Sequence, residues 1–136
     1  MSKEVIFSGI QQVGIGVRNV DEAWKWYKEY FGVDVLVFDE WADAEFMLPY
    51  TENKPRPRHA NLVLNLQGGG GFEIWQHTGF ESREPIFNVR PGDLGIYSCK
   101  IKCKDAKGYY DLLKTKEQKV SSQIYTDATG RPFFYL

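Results

Sequence analysis

Glu73 stands in an aromatic run, Phe72-Glu73-Ile74-Trp75-Gln76-His77. A carboxylate set among rings can do chemistry in three ways. It can ligate a metal, take a proton as a base, or accept a hydrogen bond from a bound molecule. Alternate side chains of an extended strand share a face, so Glu73, Trp75 and His77 point the same way. The same alternation equally describes a solvated glutamate on an exposed sheet face. Gln12 lies in a second extended run, on one face with Gly14 and Gly16. Those small residues leave room in a cleft or let backbones pack closely, and a strand glutamine is as readily structural.

The chain has two histidines, the side chain best poised for proton transfer near neutral pH. His77 closes its strand and His59 opens another after Arg56-Pro57-Arg58, so both read as surface or rim residues. The arginines read as a solvated loop that could also meet an anionic substrate. The glycine run Gly68 to Gly71 is not a phosphate cradle, because no Lys-Ser/Thr pair and no helix start follows it. A hairpin turn accounts for it.

These residues must be positioned by elements that the patterning foretells. Ile10 to Val17 reads as a strand. Asn19, with Glu22 three residues on, is a capping box. It opens a helix with Val20, Ala23, Trp24, Tyr27 and Phe31 at helical spacing, stopped by Gly32. On this helix Trp24 and Trp26 divide between a core and an exposed position. Val35 to Phe38 and Ala44 to Leu48 read as strands, and Pro49 to Pro57 as an exposed loop. His59 to Leu66 and Phe72 to His77 form a hairpin, so the first half runs β-α-β-β-β.

After a linker over residues 78–92 the pattern restarts, and the sequence lies over itself at an offset of 86: Gly9 falls on Gly95, Ile15 on Ile101, Val17 on Cys103, and Asn19 on Asp105. A second helix with Ala106, Tyr109, Tyr110 and Leu113 on one face follows. Lys119 to Thr126 and Pro132 to Leu136 read as strands around a Thr129-Gly130-Arg131 turn. A duplicated module is the simplest reading. The second copy has no equivalent of the strand that carries Glu73, so the chain is expected to be a fragment, or to take that strand from another segment.

The composition of the 136 residues narrows the function. Seventeen Lys and Arg against eighteen Asp and Glu, a net charge of -1, make no footprint for nucleic acid. No run approaches the roughly 18 apolar residues of a membrane span, and the opening residues lack a secretory pattern. The expectation is a soluble, cytoplasmic single domain over 1–136, long enough to build a core without disulfide or metal. Cys99 and Cys103, four apart in an expected strand, lie about 13 Å from each other and read as unbridged, buried small apolar residues. Aromatic residues make up 15% of the chain, enough that some of them could line a pocket.

The run Ile10 to Gly32, I-Q-Q-V-G-I-G-V-R-N-V-D-E-A-W-K-W-Y-K-E-Y-F-G, resembles the opening signature of the vicinal-oxygen-chelate superfamily, which includes glyoxalases, bleomycin-resistance proteins and ring-cleaving dioxygenases. Gly71 to Gln76 resembles its fourth strand, Gly95 to Asp105 the opening of its second module, and Gly130 to Leu136 the strand before its closing D-P-x-G-N-x-x-E segment. The resemblance implies an α+β, glyoxalase-like fold of two βαβββ modules, 5–77 and 93–136, the second lacking its last strand. It also implies a cleft for a small oxygenated or aromatic molecule, and pairing as a homodimer.

Among the family's ligand positions, the resemblance puts Gln12 and Glu73 at two metal positions, with Glu73 as the catalytic candidate. Gln12 is similar to the glutamine of eukaryotic glyoxalase I. Ser98 falls at the third, where a neutral hydroxyl is a poor substitute for imidazole or carboxylate. Trp75, His77, Tyr97 and Ser98 are then expected to contact ligand. The site is expected to be incomplete for Zn, Ni, Fe or Mn as the chain stands, favouring a metal-free binding module. The alternative is a metal-dependent lyase, isomerase or dioxygenase completed by a closing segment.

Overall fold

The computed structural model describes residues 9–68, 70–83, 86–116 and 118–136. It is a mixed α+β structure. Strand β1 (Gln12–Gly16) leads into helix α1 (Val20–Phe31), then β2 (Val35–Asp43), a 3-10 helix (Glu45–Tyr50), β3 (Pro57–Leu64) and β4 (Gly71–His77). Helix α2 (Ala106–Thr115) and two short strands, β5 (Tyr125–Thr126) and β6 (Pro132–Phe133), follow. β1 to β4 form one sheet in the order β1-β4-β3-β2. The β1–β4 pair is parallel and the other two pairs are antiparallel.

Local chemistry explains α1. The Asn19 side chain accepts from the Glu22 backbone N–H at 3.1 Å, satisfying one of the unpaired donors of the first turn. Gly32 ends the helix at φ 59°, a left-handed conformation that glycine adopts without a Cβ penalty. The helix presents Val20, Ala23, Trp24, Tyr27 and Phe31 to one face of the sheet, against Val13, Ile15, Val63, Phe72 and Ile74. Tyr27 stacks on Phe72 with ring centroids 4.9 Å apart. Trp24 is held by its indole N–H, which donates to the Val33 carbonyl at 2.9 Å. Trp26 is half-buried and leans on Tyr27, Tyr30 and Phe31 of its own helix. The hairpin between β3 and β4 closes tightly at Gly71, where a Cβ would collide with the Leu64 side chain and the Val63 carbonyl. Gly69 of that turn lies outside the described residues.

Several expected strands are displaced. β2 does not stop at Phe38: a bulge between Leu36 and Phe38 lets it run on to Asp43, paired with β3 down to Pro57. Ala44 to Leu48, expected as a strand, instead turns into the 3-10 helix, with the Met47 N–H donating to the Ala44 carbonyl. β3 has already paired β2 to its end, and Pro49 has no N–H to offer a further ladder. Part of the expected Pro49 to Pro57 loop is therefore ordered, and Pro57 itself begins β3.

The second half repeats the first only in part. Its helix is capped by Asp105, whose carboxylate accepts from the Gly108 N–H, and begins at Ala106, 86 positions after Val20. Gly95 to Asp105, expected to open the second module with Cys99 and Cys103 in a strand, holds no strand. It passes beside α1, where Ile101 packs on the core and the Lys104 N–H donates to the Gln67 side chain. Lys119 to Thr126 shortens to two strand residues, as does Pro132 to Leu136. Cys99 is exposed and Cys103 half-buried, both free, so the expectation of two buried thiols fails at Cys99. A residue expected to face a core through strand pairing loses that cover when the strand does not pair.

Candidate functional site

The parallel pairing of β1 with β4 decides the geometry. Gln12 lies beside Gly71, Gly14 beside Glu73, and Gly16 beside Trp75. These residues share the face turned away from α1, because their neighbours Val13, Ile15, Phe72 and Ile74 fill the helix-side core. The Gln12 amide nitrogen donates to a Glu73 carboxylate oxygen at 2.6 Å. Both side chains are half-buried. Among the described residues nothing lies within 4 Å of where a Cβ would stand at Gly14 or at Gly16, so the strip between Gln12 and Trp75 is an open trough floored by backbone.

Aromatic rings close the far end of the trough. The Trp75 and His77 rings meet edge to face at 4.8 Å, and His77 stacks on Phe80 at 4.7 Å. Arg56 sits over the Phe80 ring. Burial, and next the Arg56 charge, hold the His77 imidazole below its ordinary pKa, so it is neutral at pH 7. An open cavity of about 420 Å³ lies at this end, lined by Gly16, Arg18, Trp75, His77, Ser82 and Arg83. A second, of about 510 Å³, wraps around the end of the sheet past Trp41 and Phe80. Gln76, one residue out of phase, turns to the helix side and caps α1 by accepting from the Val20 N–H at 2.7 Å.

Four of the sequence-derived site residues, Gln12, Glu73, Trp75 and His77, thus share one trough. Tyr97 and Ser98 are exposed and outside any strand, and among the described residues neither side chain makes a hydrogen bond. Nearby Ile101 packs against the core on the α1 side. Among the described residues no hydrogen bond or ring contact joins Tyr97 or Ser98 to Gln12 or Glu73.

Gln12 and Glu73 supply one amide and one carboxylate. Among the described residues no group of three His, Cys, Asp or Glu side chains gathers, in the trough or elsewhere. A catalytic divalent ion wants three protein donors with a position left open. The pair does not meet that need, and the chemistry open to it is hydrogen bonding and proton acceptance by Glu73.

His59, expected at the surface, is 3% exposed. Its Nε2 meets the Asp39 carboxylate at 2.6 Å, and Trp41 stacks flat on its ring at 4.1 Å. Arg58 beside it pairs with Glu40 at 2.7 Å rather than standing free in a loop. The signal that would have found this cluster is the alternation Asp39, Trp41 against His59, Asn61. It becomes visible only once β2 is extended to Asp43.

No family model matches the chain, and no curated protein matches its sequence.

Proposed function

We infer that the chain is a glyoxalase-, bleomycin-resistance- or dioxygenase-like domain that binds a small oxygenated or aromatic molecule in the trough above β1 and β4. The observation that carries this reading is the Gln12–Glu73 hydrogen bond beside the open glycine strip. A half-buried carboxylate with one amide donor keeps lone pairs for a hydroxyl or N–H of a ligand. The glycine floor admits a flat molecule, and Trp75 offers it a ring face or edge. The β-α-β-β-β order and the sheet order β1-β4-β3-β2 accord with the first module of that superfamily. Binding without turnover is the form these donors favour.

The test is titration with 2-naphthol as a phenolic aromatic probe, followed by tryptophan fluorescence. Saturable quenching is expected. It should be lost in Trp75→Ala and weakened about tenfold in Glu73→Gln, the loss of about one charge-assisted hydrogen bond. Quenching that survives both substitutions unchanged would refute the assignment.

The reading includes a homodimer, supported by the two sheet edges, β1 and β2, which among the described residues no further strand pairs and which are templates for pairing or must be covered. Light scattering at high concentration should give twice the chain mass; a monomer throughout would remove this part.

A further inference from the structure

The polar cluster on the other side of the sheet is not used by the trough. Asp39 stands directly opposite Asn61, and Trp41 directly opposite His59, on the antiparallel β2–β3 pair. The four side chains therefore form a block on one face, with Cβ atoms about 5 Å apart across the strands. This is the α1 face, since Val63 two residues past Asn61 belongs to the core. Asn61 is wholly buried, yet among the described residues neither its amide oxygen nor its amide nitrogen has a partner. Leaving such a group unpaired costs about 1–3 kcal/mol, so a fold that retains it offers that amide to something. Next to it are a buried imidazole and a carboxylate whose side chain is 41% exposed, giving the block a mouth at Asp39.

We propose that Asp39, His59 and Asn61 form a site for one divalent first-row transition cation such as zinc. The ligands are the His59 Nε2, an Asp39 carboxylate oxygen and the Asn61 amide oxygen, with water completing the shell at the Asp39 mouth. Imidazole, carboxylate and amide oxygen form the mixed nitrogen and oxygen set that such ions accept, and one imidazole disfavours magnesium or calcium. The ion replaces the hydrogen between Nε2 and Oδ1, the two atoms parting to about 3.3 Å around it, and the imidazole binds as its Nδ1–H tautomer. Trp41, stacked on His59, walls the site and fixes the plane of the ring. The three donors come from two paired strands, so the sheet itself holds them at their spacing. Nothing in this site depends on the trough or on its ligand.

The test uses the full chain, freed of metal and titrated with zinc chloride by calorimetry. One equivalent should bind. The affinity should fall at least tenfold in His59→Ala and in Asp39→Asn, and stay unchanged in Glu73→Gln. Nickel provides a second reading that needs no altered ligand: bound beside His59 it should quench Trp41, and the metal-dependent quenching should vanish in Trp41→Phe. Circular dichroism separates a misfolded His59→Ala chain from a folded one that has lost its site. No uptake, which would mean that water alone serves the Asn61 amide, overturns the proposal. Uptake indifferent to both ligand substitutions, or quenching indifferent to Trp41→Phe, overturns it as well.

Discussion

The Gln12 amide nitrogen and the Glu73 carboxylate oxygen meet at 2.6 Å across two parallel strands. Sixty-one positions separate them in sequence. Directly neighbouring β1 is β4, not the β2 that follows it in the chain, because α1 carries the chain over the sheet before β2 begins. This places one carboxylate and one amide side by side on the face opposite α1.

Removing the donor tests the pair. In Gln12→Ala the Glu73 carboxylate loses its partner but, being only half-buried, remains open to water. The stability cost should stay at about 1 kcal/mol, while phenol-probe affinity should change severalfold. Urea unfolding and fluorescence titration read the two separately.

Gly14→Val should separate binding from folding in the opposite way. The space above Gly14 is empty and valine is well suited to a strand, so thermal stability should hold or rise slightly. The added side chain stands in the trough beside Glu73. Probe binding should fall at least tenfold with the melting temperature unchanged; binding as strong as in the parent chain would place the ligand elsewhere.

His77 should make the fold acid-sensitive. Its pKa is lowered by burial and then by Arg56, so protonation favours the unfolded chain, whose imidazole titrates near 6.5. Stability from this group is full above that value and declines as pH falls from there towards the lower folded value. The urea midpoint should drop between about pH 7 and pH 5, and part of that drop should disappear in His77→Gln.

Asp127 also loses its contribution on acidification, but at lower pH and because its charged form is the one the fold holds. The Thr129 hydroxyl above all, then the Arg131 and Thr129 backbone N–H groups and Lys100, hold its carboxyl down at about 2. The charged carboxylate ties the turn between β5 and β6. Its contribution is present above the ordinary carboxylate value of 3.8 and is lost as pH falls towards 2. Carbon-detected NMR should show Asp127 titrating well below the other aspartates, and in Asp127→Ala the amide of Thr129 should lose its downfield shift.

The core under α1 should be the least forgiving part of the chain. Ile74 is fully buried between the helix and the sheet. Ile74→Ala should cost about 2–5 kcal/mol, the transfer and cavity terms together. Denaturant unfolding checks it, and a loss below about 1 kcal/mol would mean that the helix does not pack there.

What depends on neighbours along the chain could be read directly from the residues. The Asn19 cap, the apolar stripe of α1, the Gly32 stop and the face shared by Gln12, Gly14 and Gly16, like that of Glu73, Trp75 and His77, all follow from periodicities of 3.6 and 2 and from local hydrogen bonds. The Asn19 and Asp105 caps, 86 apart, were legible for the same reason. Which strands meet was settled by long-range packing. It extended β2 past a bulge to Asp43, left residues 96–103 without a strand, and buried His59 under Trp41. Strand pairing is a contact between residues distant in sequence, chosen by the sum of packing across a whole face, and no window of a few residues carries that sum.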